Sequence, residues 1–270
     1  MSGNERSEKS LAACPFQGTS ILQFYDIQAV IGRGGFGTVY KATRNLDSLP
    51  VAIKVFRKYD ESKRNNNSFL RQEYETLRVL RCPNIVQLLD YQENSHSIYL
   101  FLEYCHGGDL VKYMNGFRIS KNRLFDESEA SCIIKGVLKA LYHLHYQQKI
   151  IHRDIKPGNI LIRRADTGPL TEDDVCIGDF GLSISLSNSH TSKAVENCGT
   201  DSYKAPEQLA HEAYGDVRTL IIEGVDIFAV AITTYILLTG EHPFITNRRL
   251  LESKLKAADW TVLQTSGLPW

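Results

Sequence analysis

The spacing of apolar residues passes from mostly strand-like to mostly helical along this chain, and that change limits the folds open to it. Up to about residue 103 the apolar positions fall in short β-branched runs. FYDIQAVIGRGGFGTVYKATR reads as strand, glycine turn, strand, PVAIKVFR as another strand, and NIVQLLDYQE and SIYLFLEY as two more. One stretch breaks the pattern: Phe69, Glu73, Leu77 and Leu80 share a helix face. Glu73 is then an acid on an otherwise apolar stripe. Beyond about residue 110 the period is helical. Asp126 and Glu129 open a helix as a capping box, and Ile133, Ile134, Val137, Leu138, Leu141 and Leu144 carry its apolar stripe. A β-rich part followed by a helical part predicts an α+β fold of two lobes, joined near EYCHGGDL. A chain of 270 residues is long enough for both.

Composition narrows the function classes. A hydrophobic content of 43% with 23% charged residues fits a globular protein, and a formal net charge of zero gives no support to a nucleic-acid partner. The six cysteines, at 14, 82, 105, 132, 176 and 198, show no zinc-ligand spacing, so a reducing, cytoplasmic setting is expected, with nuclear access open. The opening MSGNERSEKSLAACP has no apolar core of a signal peptide, and Gly3 does not stand second as myristoylation requires. The longest apolar run, IFAVAITTYILL, is too short for a bilayer and follows Asp226, so a buried helix is expected and no membrane insertion. Residues 1–20 are expected to be a flexible arm and 21–270 the folded domain.

Several charged residues sit where apolar ones belong. In IIHRDIKPGNIL, His152, Arg153, Asp154, Lys156 and Asn159 lie between Ile150-Ile151 and Ile160-Leu161. Burying them is costly unless each has a partner. In VAIK, Lys54 interrupts an apolar strand. A snorkelling lysine accounts for it, and so does a buried pair with Glu73 able to hold phosphates. GRGGFG contains Gly32, Gly34 and Gly37. An ordinary hairpin turn explains these glycines, as does a loop whose N–H groups approach phosphates. A dinucleotide fingerprint, and with it an oxidoreductase, is disfavoured because a strand follows. In IGDFGLS, Asp179 just after an apolar strand is either a plain turn residue or a carboxylate offered to a hard cation such as Mg²⁺.

Taken in order, the glycine loop, VAIK, HRD with Asn159 following, DFG and the APE ending at Glu207 form an ordered set that resembles the eukaryotic-type protein kinase family, of the serine/threonine class, from about Tyr25 to about Phe244. The resemblance implies a bilobal fold: an N-lobe at about 25–103, a hinge at about 103–109 and a C-lobe at about 110–270. It implies ATP and Mg²⁺, or Mn²⁺, as cofactors and proteins bearing Ser/Thr as substrates. It gives Gly32, Gly34 and Gly37 the phosphates, Lys54 with Glu73 the α- and β-phosphates, Asp154 the substrate hydroxyl and Lys156 the moving phosphoryl group. By the same resemblance Asn159 and Asp179 would hold the metal, Ile31, Val39 and Ala52 would enclose adenine beside the gatekeeper Leu102, the chain at Glu103 and Cys105 would bond it, and Asp109 would meet the ribose. His152, Phe180, Leu77 and Leu88 would stack as a spine anchored by Asp226. Lys156 and Thr200 are what imply the serine/threonine class.

Some positions depart from the family pattern. Glu196 stands where a phosphorylatable residue is common, so it is expected either to serve Arg153 as a permanent, weaker anion or to be a solvated loop glutamate. Ser183, Ser185, Ser187, Ser189, Thr191 and Ser192 remain candidate phosphosites. Gly158 stands where kinases that prefer basic residues often carry Glu, so it gives no support to such a preference, while Asp201 and Lys204 make the adjoining loop polar. After HPF about one helix and a tail remain, where the family continues with helices that supply an arginine partner for Glu207. A C-terminally shortened lobe is therefore expected. With it comes a second functional reading, a weak or inactive kinase acting as an ATP-binding scaffold.

Overall fold

Alternating apolar residues build the sheet they predict. In the computed structural model, which describes residues 16, 19–34, 37–58, 66–165, 168–186, 198–205, 208 and 223–244 (of 66–70 the backbone alone), five antiparallel strands come first. These are β1 (Tyr25–Gly34), β2 (Gly37–Arg44), β3 (Pro50–Arg57), β4 (Leu88–Glu93) and β5 (Ser97–Glu103), in the order β1-β2-β3-β5-β4. Residues paired across strands share a face. The register aligns Gly32, Val39, Lys54 and Leu100 in one row and Lys41, Ala52, Leu102 and Leu88 in the next row of the same face. The opposite face carries Val51, Ile53, Val55, Tyr99 and Phe101 in a closed apolar cluster.

That cluster corrects the expected arm. Phe16 is fully buried in it, edge-on to Tyr40 at 5.0 Å and tilted against Tyr99 at 5.8 Å. A single helical turn, Ile21–Phe24, adds the buried Ile21. The outer face of a twisted sheet would otherwise leave aromatic surface in water. The folded part therefore begins before residue 20, and residues 1–15 lie outside the described ones.

Helix α1 (Asn66–Leu77) belongs with this sheet. It stops short of Leu80, so the expected stripe is one position too long. The N-lobe boundary also needs correction. One compact unit takes in residues up to Arg78 together with Gln87–Tyr104, while Val79–Val86 belongs with Cys105 onward in a second unit. The reason is backbone hydrogen bonding. Val86 N donates to Ile177 O at 2.9 Å, Ile177 N to Asn84 O at 2.9 Å, and the buried Asn84 Nδ2 donates to the carbonyls of Glu172 and Val175 at 2.7 and 2.8 Å.

The second unit holds α2 (Leu110–Lys121), α3 (Glu127–Tyr142) and α4 (Gly224–Thr239). The capping box of Asp126 and Glu129 is present at the start of α3, which runs on into a π-helical turn, His143–Gln148. Its core face is Ile133, Val137, Ala140, Leu141 and Leu144. Ile134 is only half-buried and Leu138 is exposed. Each residue turns about 100° round a helix, which carries both off the face that Ile133 and Val137 bury. Of five short strands, β9 (Val175–Ile177) is the apolar strand expected before Asp179, while β6 (Gly108–Asp109), β7 (Ile150–Ile151), β8 (Ile160–Ile162) and β10 (Ile184–Ser185) were not legible as such. They form a sheet β6-β8-β9 and a pair β7-β10, and two- or three-residue runs carry no measurable period. Helix α4 buries Val225, Asp226, Ala229, Val230 and Ile232, while the apolar Ile227 is exposed, so the expected buried helix is buried on one face only. Among the described residues no helix is long and apolar enough to cross a membrane.

Candidate active site

In the first unit the two misplaced charges find each other. Lys54 Nζ donates to both Glu73 oxygens, at 2.8 and 2.7 Å, and both side chains are buried. Removing either partner would strand the other charge, at a cost of about 3–5 kcal/mol. Along the same sheet face run Gly32, Val39, Ala52 and Leu102. Ile31 sits at the irregularity of register between Val30 and Gly32. Gly34 pairs with Gly37, and a Cβ on Gly37 would stand 2.4 Å from the Val55 carbonyl, so only glycine fits there. At the end of β5, Glu103 Oε1 accepts from Gln87 N at 2.9 Å, which holds the chain entering the expected hinge.

In the second unit, the Asp154 carboxylate is surrounded by donors. Lys156 Nζ reaches Oδ2 at 2.7 Å and Asn159 Nδ2 reaches it at 2.8 Å, while Thr200 gives Oδ1 its N–H at 3.0 Å and its hydroxyl at 2.8 Å. Lys156 Nζ also donates to the Thr200 hydroxyl, at 2.7 Å. Four donors compensate a carboxylate that is 7% exposed. Gly199, at φ +95°, allows this approach, since a Cβ there would lie 2.7 Å from the Arg153 carbonyl. Beneath the loop, Asp226 accepts from the backbone N–H groups of His152 (2.9 Å) and Arg153 (2.8 Å) and bonds His145 Nε2 at 2.8 Å. The His152 ring meets Phe180 edge-on at 4.9 Å.

Two non-glycine residues here occupy the left-handed region, Arg153 (φ 67°) and Asp179 (φ 60°). Such strain persists only where the surroundings hold it. For Arg153 these include the Asp226 bond and its own Nε donating to Leu182 O at 2.7 Å. Asp179 follows β9, whose Cys176 Sγ lies 3.6 Å from Cys105 Sγ. Asp109 is the N-cap of α2, accepting from Lys112 N at 2.9 Å, with Lys112 Nζ at 3.2 Å. Burial pushes the Tyr203 hydroxyl up to about 12, with the Asp154 charge adding to it.

Within each unit, then, the expected residues come together: Lys54 with Glu73, and Asp154 with Lys156, Asn159 and Thr200. Glu196 and Glu207 lie outside the described residues, as do Ser187, Ser189, Thr191 and Ser192. Ser183 is corrected as a phosphosite, because it is fully buried and its hydroxyl donates to Phe180 O at 2.8 Å; Ser185 is exposed. Lys204 is buried and paired with Asp201 at 3.0 Å. Sequence reasoning missed His145, Asn84 and Tyr203. His145 carried a faint signal, lying four residues after Leu141 on the core face of its helix.

The protein kinase domain model matches residues 25–265, and the chain belongs to that family. It is 34% identical to the serine/threonine-protein kinase PLK4 of Drosophila sechellia over 226 residues, 84% of this chain and 27% of that relative. It is 35% identical to a probable myosin light chain kinase of Dictyostelium discoideum over 236 residues, 87% of this chain and 69% of the relative. Against calcium/calmodulin-dependent protein kinase type 1 of Macrobrachium nipponense the identity is 35% over 221 residues, 82% and 58% of the two chains. The chain thus spans only 27% of the length of the Drosophila relative.

Proposed function

We propose that this chain is a cytoplasmic serine/threonine protein kinase that moves the γ-phosphoryl group of ATP to Ser/Thr hydroxyls of proteins. One observation carries the reading: a threonine hydroxyl already donates to Asp154 and accepts from Lys156. An alcohol oxygen held in that way has its proton directed at a carboxylate and an ammonium group beside it. In the reaction the substrate hydroxyl donates to Asp154 as its oxygen attacks the γ-phosphorus. The bond from that phosphorus to the bridging oxygen breaks, ADP leaves, and Lys156 offsets charge on the transferring oxygens.

Lys54, fixed by Glu73, binds the α- and β-phosphates, and the backbone at Gly32, Gly34 and Gly37 covers them. Ile31, Val39 and Ala52 take the adenine faces, the backbone at Glu103 and Cys105 its edge, and Asp109 the ribose. Asn159 and Asp179 fit a hard divalent cation, Mg²⁺ or Mn²⁺. The Asn159 amide nitrogen is committed to Asp154, which leaves its oxygen as the ligand, and Asp179 offers a carboxylate. Such an ion supplies charge neutralisation on the phosphates. Glu196, which lies outside the described residues, would serve Arg153 as a fixed anion.

The test is transfer from γ-labelled ATP to a generic protein substrate, with Asp154→Asn as control. Transfer should fall by about 10²-fold or more in the variant. Equal transfer by both proteins would defeat the catalytic reading, and nucleotide binding without transfer by the wild type would replace it with the scaffold.

A further inference from the structure

The ion pair of Lys54 and Glu73 depends on where α1 lies, and α1 carries a second set of contacts that the phosphotransfer reading does not use. Glu93, the last residue of β4, accepts from Lys58 Nζ and, at 2.6 Å, from Arg71 of α1. Its other oxygen accepts from the Tyr91 hydroxyl. The Tyr91 ring in turn stacks on Tyr74 of α1, with centroids 3.9 Å apart and planes 25° from parallel. Lys58 also donates to Asn94 O at 2.6 Å, so the cluster ties the end of β3, the end of β4 and α1 together.

We propose that Glu93 is a positioning residue for the catalytic ion pair, forming with Arg71, Lys58 and Tyr91 a latch that holds α1 in the register at which Glu73 meets Lys54. The proposal rests on the phosphotransfer reading. Arg71 and Tyr74 flank Glu73 in sequence, and a slip of α1 by a single residue moves Glu73 by about 1.5 Å and turns it by about 100°. That is enough to break a two-oxygen contact made at 2.7–2.8 Å.

A lone exposed ion pair would hold a helix weakly. Here the acceptor is shared, four-fifths buried, and coupled to an aromatic stack. Burial pushes the Glu93 carboxyl up, but hydrogen bonds from Lys58, Tyr91 and Arg71 outweigh it and bring it down to about 2, so the latch stays charged in use. Burial and the Glu93 carboxylate keep the Tyr91 hydroxyl protonated and donating.

Arg71 is 59% exposed, so Arg71→Ala should fold. It should lower kcat/KM for peptide phosphorylation about fivefold, with Arg71→Lys restoring most of it and Glu93→Gln acting like Arg71→Ala. In a Glu73→Gln background, Arg71→Ala should cost nothing further in the residual activity. An equal loss in both backgrounds, or no loss in either, would overturn the proposal. Hydrogen exchange of the α1 amides reads the latch without catalysis. Exchange should speed up in Arg71→Ala and Glu93→Gln, and unchanged exchange would overturn the latch even if the wild type phosphorylates its substrate. Absence of transfer by the wild type, with exchange altered as expected, would defeat the kinase reading instead.

Discussion

Asp226→Asn changes one atom type at a site where the consequence can be worked out. Asp226 is 1% exposed and accepts three hydrogen bonds: His152 N at 2.9 Å, Arg153 N at 2.8 Å and His145 Nε2 at 2.8 Å. The two backbone donors approach different carboxylate oxygens. Asparagine keeps one oxygen, so its NH₂ faces the other N–H whichever way the amide turns. One buried N–H is left unsatisfied, at about 1–3 kcal/mol, and the surviving bond loses its charge assistance, about 1 kcal/mol more. A total near 3 kcal/mol lowers Tm by about 6–12 °C for a domain of this size. Thermal unfolding followed by circular dichroism reads this directly. His145→Gln should cost only about 1 kcal/mol, because both backbone bonds survive. Because His152 and Arg153 lead into Asp154, the asparagine variant should also lose kcat while its ATP affinity changes little. A Tm within about 2 °C of wild type would refute the account of Asp226 as the acceptor that holds this loop.

Two further outcomes follow from burial and backbone geometry. Phe16→Ala should destabilise the protein by about 3–5 kcal/mol in urea unfolding, because it removes an aromatic ring from the closed outer face of the sheet; an unchanged midpoint would return residue 16 to a loose arm. Gly199→Ala should cut kcat more than it changes ATP affinity, since φ +95° and a carbonyl 2.7 Å from the new methyl displace Thr200 from Asp154; a variant with wild-type kcat would show that this contact is not needed for turnover.

What could be read from the chain in advance follows a physical rule. Asp154, Lys156 and Asn159 were legible because the residues that satisfy one another lie within a few positions. Lys54 and Glu73 are 19 residues apart, yet each was a charge in an apolar setting, and two such misfits in one region imply a pair. Asp226 stood out as an acid at the head of an apolar helix, but its role as an anchor came from the family resemblance. Phe16 was not legible, because a buried phenylalanine violates nothing and its letter does not name a partner. His145 was hidden likewise, since a histidine on a core face is ordinary until its partner, 81 residues away, is known. That Val79–Val86 joins the second unit is not legible in the sequence, because its attachment is through backbone groups, which every residue possesses and no letter marks. The latch at Glu93 shows the same limit from the other side. Glu93 and Lys58 are charged residues at strand ends and Arg71 one on an exposed helix face, where charge is normal, so their cooperation is visible only once register brings them within 3 Å. Residues that would be unstable alone therefore announce a site, while residues that hold the site in place must be found in the fold.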